Sequence, residues 1–134
     1  GVGGGLAGED CVMACLLGQP KVAMRAEDGL AARHGAGQLA GAAPVHLVSV
    51  GHVGVPALHA AALEPARFAS VRIEGCLLSW SNAIELGITH NQLHNAVHAA
   101  LCWYDFPDLA RLAGEHTAIV APVDAMGRPA ALNQ

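Results

Sequence analysis

The chain has 134 residues, of which 53% are hydrophobic and only 13% are charged, so a single packed domain is expected rather than a disordered chain. The formal net charge is −4 and no basic run occurs, which argues against nucleic-acid binding through neutralised phosphates. No apolar run reaches the roughly 20 residues that a membrane-spanning helix needs, so no membrane partner is expected.

The first 40 residues are predicted to be mostly helical. Residues 1–10 are a glycine-rich lead-in, which is typical of a connection or a strand edge. A short apolar helix is predicted over residues 10–17, where Gly18 and Pro20 end it, and a longer helix over residues 22–39. The four cysteines form no CxxC pair, which favours buried small apolar side chains over a zinc site or a disulfide framework.

Three short apolar runs in the rest of the chain predict β-strands, over residues 45–50, 69–78 and 116–121. Segments of helical character separate these runs, over residues 55–63, 91–101 and 107–113. Strands that alternate with helices form βαβ units with right-handed crossovers. We therefore predict one α/β domain over residues 1–134. It has about three adjacent parallel strands, helices on both faces, and a helical insertion at 79–114 before the last strand.

The most informative segment is the strand, turn and helix of residues 45–63. Its turn reads Gly51-His52-Val53-Gly54-Val55. Set against the nucleophile elbow G-x-S-x-G, Gly51 matches the first glycine, Val53 takes the place of serine, and Val55 replaces the second glycine. Valine has no nucleophilic atom, and its branched side chain tolerates a positive φ badly. The pattern therefore predicts the architecture of an elbow without its chemistry.

With its flanking segments, this turn resembles the acetylxylan-esterase and prolyl-oligopeptidase-like group of α/β-hydrolases, and the segment 91–114 resembles a helical segment of large bacterial proteins of that group. The resemblance covers roughly residues 11–128, through LLGQPKVAMRAEDGLAARH (16–34), ALHAAALEPARFASVRIEGCLLSWSN (57–82), NQLHNAVHAALCWYDFPDLARLAG (91–114) and PVDAMG (122–127).

The resemblance implies the C-terminal half of that fold, with a vestigial elbow at Gly51, His52, Val53 and Gly54. Asp124 falls where the family carries its triad aspartate, so it is a candidate vestigial acid. No histidine follows it to complete a triad. The family's first strands and its oxyanion-hole loop would lie upstream of this sequence, so we expect a fragment of a longer esterase-like protein.

Other polar residues have both a structural and a functional interpretation. His90, His94 and His98 would share one helical face, but a straight helix spreads the first and third by about 12 Å, which favours a polar face over a metal site. His52 and His59 lack an evident nucleophile to activate. Three other residues are interpreted structurally: Ser79 as a cap or turn residue, Cys76 as part of the core, and Asp105 as a cap for the helix that contains Asp108.

The sequence thus predicts a non-catalytic α/β-hydrolase-like module that serves as a structural or interaction domain. The alternative is an ester or acyl-bond hydrolase with a displaced nucleophile. We expect no cofactor and no metal ion, while a small-molecule ligand stays open. Low charge and the edges of an open sheet predict self-association or a covering domain.

Overall fold

A computed structural model describes residues 4–41 and 43–131. Its α-helices and strands are, in chain order, α1 (Gly4–Leu16), α2 (Lys21–Ala40), β1 (His46–Val50), α3 (Gly54–Leu63), β2 (Ser70–Glu74), α4 (Trp80–Leu86), α5 (Phe106–Ala113) and β3 (Thr117–Val120). Short 3₁₀ turns occupy Gly51–Val53, Pro65–Arg67, Leu93–Asn95 and Ala100–Cys102.

The three strands form one parallel sheet in the order β1-β2-β3, which confirms the predicted α/β fold. Leu47 is in register with Val71, and Val71 with Thr117. α3 connects β1 to β2, and α4 and α5 lie between β2 and β3. β1 and β3 are therefore the two edge strands. Because the strands are parallel, their carboxyl ends all lie at the same end of the sheet.

Helices cover one face of the sheet within the described residues, so the prediction of helices on both faces is wrong. Side chains alternate along each strand: Val71 and Ile73 of β2 are buried on the helical side, whereas Arg72 and Glu74 point to the other side and are exposed. Parallel sheets are normally covered on both faces. The opposite face is thus an uncovered sheet surface, which we define by Val48, Val50, Arg72, Glu74 and Ala118.

α3 lies at the centre of the core because it is apolar on nearly every side. Its buried residues include Val55, Leu58, Ala60 and Ala61. The helix packs against the strands on one side and against α2 and α5 on others. Alanine at two of these positions lets neighbouring backbones approach closely.

Two predicted segments differ from the structure. Helix α1 begins at Gly4, so a connection or strand edge over residues 1–10 is wrong for residues 4–10, while residues 1–3 lie outside the described part. The helix predicted over residues 91–101 is also wrong, because Asn91 and Ala99 have φ of 55° and 56°, which a right-handed helix excludes. The predicted insertion at 79–114 therefore contains α4, two 3₁₀ turns and α5.

Candidate functional site

The turn that follows β1 is a single 3₁₀ turn leading directly into α3. Gly51 has a φ of 70°, a conformation that side chains rarely adopt, so this position requires glycine. Val53 has φ −77° and ψ −5°, ordinary helical values. The positive φ of this turn is therefore at Gly51, and Val53 sits unstrained at the start of α3 with 40% of its surface exposed.

Gly54 brings the first turn of α3 against β2. A Cβ atom at this position would lie 2.5 Å from Cβ of Cys76 and 2.7 Å from Cγ2 of Ile73. No side chain fits into that space, since real Cβ atoms do not approach other atoms so closely. Of the four elbow residues, Gly51 and Gly54 thus have backbone roles in forming the turn.

The side chain of His52 lies against His94, from the segment between α4 and α5. The two rings meet edge to face with their centroids 4.8 Å apart. Burial lowers the pKa of His94 below its ordinary value, and the nearby charges of His52, Arg25 and Lys21 act in the same direction. This arrangement favours a neutral His94 imidazole, whose buried Nε2 has no hydrogen-bond partner among the described residues.

His90 and His98 do not join this pair on a helix, because no helix forms there. His90 is anchored through its backbone N–H, which donates to the carbonyl of Ala125 at 2.8 Å, and the His98 side chain is exposed in a turn. Within residues 4–41 and 43–131, no three or more His, Cys, Asp or Glu side chains are grouped so that they could hold a metal ion.

His59 is held in the core by two hydrogen bonds. Its Nδ1 is 2.8 Å from the carbonyl oxygen of Val55, which can only accept, so Nδ1 carries the proton. Nε2 is then the acceptor for the Tyr104 hydroxyl at 3.1 Å. Trp80 packs beside both rings, with centroid distances of 5.8 Å to His59 and 5.6 Å to Tyr104. Both nitrogens are occupied, which leaves His59 no free atom to activate a nucleophile.

The protonation of His59 gives a pH prediction. Burial lowers the pKa of His59 below its ordinary value, against a smaller opposing effect of its bond to Val55. In the unfolded chain, the His59 side chain titrates near pH 6.5. Below that pH the unfolded chain therefore binds more protons than the folded chain does. The free energy of unfolding should therefore decrease below pH 6.5 until the folded pKa is reached.

Urea unfolding at several pH values measures this effect. His59→Gln should flatten the pH dependence below pH 6.5 by up to about 1.4 kcal/mol per pH unit, the maximum for one proton. His34→Gln on α2 is the matched control, since the His34 side chain is exposed and hydrogen-bonds only Gln38 among the described residues. An unchanged slope in His59→Gln would show that His59 does not contribute.

Asp124 lies beyond β3, in a loop that its own carboxylate stabilises. The carboxylate accepts hydrogen bonds from the backbone N–H groups of Met126 and Arg128, both at 2.9 Å, and from Nε of Arg128 at 2.7 Å. The bond from the Arg128 backbone is the main reason why the pKa of Asp124 is below its ordinary value. A carboxylate bound in this way stabilises its loop and is not directed at a histidine.

The remaining candidates have structural contacts. Ser79 caps α4, accepting from the N–H of Asn82 at 2.9 Å. Burial raises the pKa of the Cys76 thiol to about 11, so it is protonated at neutral pH and inert as a nucleophile. Asp105 caps α5 in a reciprocal box with Asp108, as the sequence predicted for Asp105.

Two features of the site were missed by sequence reasoning because they depend on strand register and helix packing. Pairing of β1 with β2 brings Nδ1 of His46 within 2.7 Å of Oγ of Ser70, at the amino ends of the strands. On the helical side of β1, the buried hydroxyl of Ser49 has no hydrogen-bond partner among the described residues. The only sequence signal for this position is that side chains along a strand point alternately to its two faces, which places Ser49 on the same face as Leu47.

Comparison with known proteins gives no relative: no protein-family model, no curated protein and no solved structure matches the chain. Over the described ranges, no helix combines the length and the apolar character needed to cross a membrane.

Proposed function

We propose that this chain is a non-catalytic α/β-hydrolase-like module that works as an interaction domain, with a second copy of the chain covering its exposed sheet. The single observation that carries the proposal is the uncovered sheet surface, on which Val48 and Val50 are 66% and 64% exposed. Exposed valines on a parallel strand are unusual because such sheets are buried on both faces.

The turn after β1 supports the non-catalytic part of the proposal. Val53 offers no nucleophilic atom at the end of β1, and neither His59 nor Asp124 has a free group directed at it. An acyl-transfer site needs a nucleophile, a base and oxyanion donors in mutual contact. The described residues at the carboxyl ends of the strands do not bring such a set together.

The size of the uncovered surface limits how strong the interaction is. Strands of five residues at about 3.3 Å per residue, spaced about 4.8 Å apart, present a face of only about 16 by 14 Å. Stable interfaces bury roughly 800 Å² on each partner, several times more than this face offers. A covering chain therefore has to extend beyond the face, along the edge of β1, or bind weakly.

The isolated chain is expected to self-associate weakly through this surface, at concentrations on the order of 100 μM. Size exclusion coupled to light scattering measures this directly.

Val48→Lys combined with Val50→Lys should return the chain to a monomer while changing its stability by less than about 0.5 kcal/mol, since both side chains are exposed. Leu39→Lys is the matched control, because Leu39 is 93% exposed and lies on α2, outside the residues that define the uncovered sheet surface. A wild-type chain that stays monomeric at these concentrations would contradict the proposal.

A second candidate function, acyl-ester hydrolysis, is favoured by the hydrogen bond between His46 and Ser70. A serine hydroxyl bonded to a histidine is the first requirement of a serine nucleophile. However, the pair lies at the amino ends of the strands, whereas α/β sites lie at the carboxyl ends. No acidic side chain is bonded to His46 among the described residues.

A fluorophosphonate probe separates the two functions, because it labels only activated serines. We expect the purified chain to stay unlabelled, with intact mass measuring the result. Labelling that maps to Ser70 and disappears in His46→Gln would establish the hydrolase instead. Labelling of unfolded protein serves as the control for non-specific reaction.

A further inference from the structure

A cavity of about 530 Å³ lies between α2, α3 and α5. Its apolar lining includes Val22 and Ala26 of α2, Leu63 of α3 and Leu109 of α5. The volume is within the range of natural small-molecule sites, which are mostly apolar with a few placed polar groups. The described lining contains no Asp, Glu, Lys or Arg, and it shares no residue with the uncovered sheet surface. The cavity is therefore a feature independent of the proposed interaction surface.

The His59 and Tyr104 side chains bring polar atoms to this lining, and their proton positions follow from their hydrogen bonds. The Val55 carbonyl can only accept, so Nδ1 of His59 carries the ring proton and Nε2 is an acceptor. The Tyr104 hydroxyl then donates its single proton to Nε2, at 3.1 Å. Burial raises the pKa of Tyr104 above its ordinary value, so the hydroxyl is neutral at physiological pH. Because its proton is already used, its oxygen can offer a ligand only an acceptor.

Trp103 also lines the cavity, and 86% of its surface is exposed. Leu63 and Leu112, from α3 and α5, line the cavity as well and are exposed too. Exposed apolar side chains that gather around a concave surface are typical of ligand-binding sites. An aromatic ring bound here would stack on the indole and remove apolar surface of all three side chains from water.

We infer that this cavity binds a small, neutral aromatic alcohol of the phenol type. The ring of the ligand packs on the apolar lining and Trp103, and its hydroxyl donates to Oη of Tyr104. An ionised ligand is disfavoured because it would lose its hydration without an opposite charge in the described lining. An ether of the same shape is disfavoured because its oxygen can only accept, and no proton would lie between it and Oη of Tyr104.

NMR titration of the isotope-labelled chain with 4-ethylphenol tests the inference, since amide shifts report both affinity and position. A ligand of this size should bind with a dissociation constant on the order of 1 mM. In 4-ethylanisole a methyl group replaces the hydroxyl proton, so this compound should bind at least about fivefold more weakly. An affinity for 4-ethylanisole equal to or above that for 4-ethylphenol would overturn the inference. So would the absence of amide shifts around the cavity at about 2 mM 4-ethylphenol.

Trp103→Ala tests the position of the ring. It should weaken both compounds by a similar factor, about threefold or more, because the indole contacts the ring and not the hydroxyl. The side chain is exposed, so folding is preserved. Ile88→Ala is the matched control, because Ile88 is also exposed and lies outside the cavity lining, and it should bind as the wild type does. Equal losses in the two variants would indicate binding to exposed apolar surface in general and contradict this site.

The double variant Tyr104→Phe with His59→Leu tests the hydrogen bond. Tyr104→Phe alone would leave Nε2 of His59 free to accept from the ligand, so both acceptors have to be removed. Replacing both partners of a hydrogen bond by apolar groups of similar shape has little effect on stability, so the variant should fold. It should bind the two compounds with equal affinity, which a change in cavity shape alone would not produce. A preference for 4-ethylphenol that survives in the folded double variant would overturn the assignment to Tyr104.

The comparison of the two compounds on the wild-type chain decides the inference even where the double variant does not fold. Light scattering on the same samples keeps this inference separate from the proposed function. A monomeric chain that prefers 4-ethylphenol would contradict only the interaction through the sheet, and a self-associating chain that binds neither compound would contradict only the cavity site.

Discussion

Replacing Gly54 with alanine is expected to lower the free energy of unfolding by about 3 kcal/mol, at the upper end of the usual cost of overpacking. The new methyl carbon would lie 2.5 Å from Cβ of Cys76 and 2.7 Å from Cγ2 of Ile73. Neither atom is the end of a flexible side chain, so α3 has to move away from β2. Urea unfolding measures the change, and a fall in melting temperature of about 12 °C should accompany it.

Gly35→Ala is the matched control for this substitution. Gly35 lies within α2, and beyond the helix's own backbone no heavy atom lies within 4 Å of the position that a Cβ would take, so alanine fits there. Because alanine has the higher helix propensity, this variant should be stabilised by about 0.5–1 kcal/mol. A Gly54→Ala protein with wild-type stability would show that α3 and β2 are not in the close contact described.

β1 and β3 were predictable because local sequence and packing favour the same result, whereas β2 was predicted over residues 69–78 and ends at Glu74, before Gly75 with its φ of 63°. β1 is a β-branched run bounded by Pro44 and Gly51, and its position agrees with the prediction to within one residue. The turn was predictable for a similar reason, since glycines at 51 and 54 suit a tight connection. The sequence could not show which of the two adopts a positive φ and which faces a crowded strand.

The segment between α4 and α5 was mispredicted because its conformation is set by distant contacts. Nε1 of Trp80 donates to the carbonyl of Asn95 at 3.0 Å, and Asn95 itself is buried. These contacts hold the chain in two 3₁₀ turns, whereas helix propensity and the histidine spacing favoured one continuous helix. Tertiary contacts outweigh such local preferences, which differ by only a few tenths of a kcal/mol per residue.

The candidate site was predictable only as far as single residues reveal their roles. The cap at Asp105 follows from local spacing, and the absence of serine at position 53 is visible in the sequence. Contacts between His52 and His94, or between His46 and Ser70, depend on how separate segments pack. Whether the Ser49 hydroxyl has a hydrogen-bond partner depends on which polar groups the neighbouring elements place beside it.

Asp105→Ala should lower the free energy of unfolding by about 3 kcal/mol, because one carboxylate joins the starts of two helices. It accepts from the N–H of Trp80 at 2.9 Å and of Ser81 at 3.1 Å in α4, and from the N–H of Phe106 at 2.8 Å in α5. The Ser81 hydroxyl adds a fourth bond at 2.7 Å. Each helix cap contributes about 1 kcal/mol, and the partly buried N–H groups of Trp80 and Phe106, left without an acceptor, add to the loss.

Two variants separate this linking role from a general effect of charge. Asp105→Asn keeps one side-chain oxygen and should lose less than Asp105→Ala, because that oxygen can still accept from one helix. Glu85→Ala removes an exposed carboxylate from α4 and should change stability by less than about 0.5 kcal/mol.

Hydrogen exchange gives the decisive measurement: amide protection should fall at the first turns of both α4 and α5 in Asp105→Ala. Loss confined to α5 would show that Asp105 caps only the helix that follows it, and that the packing of Trp80 holds α4 in place without it.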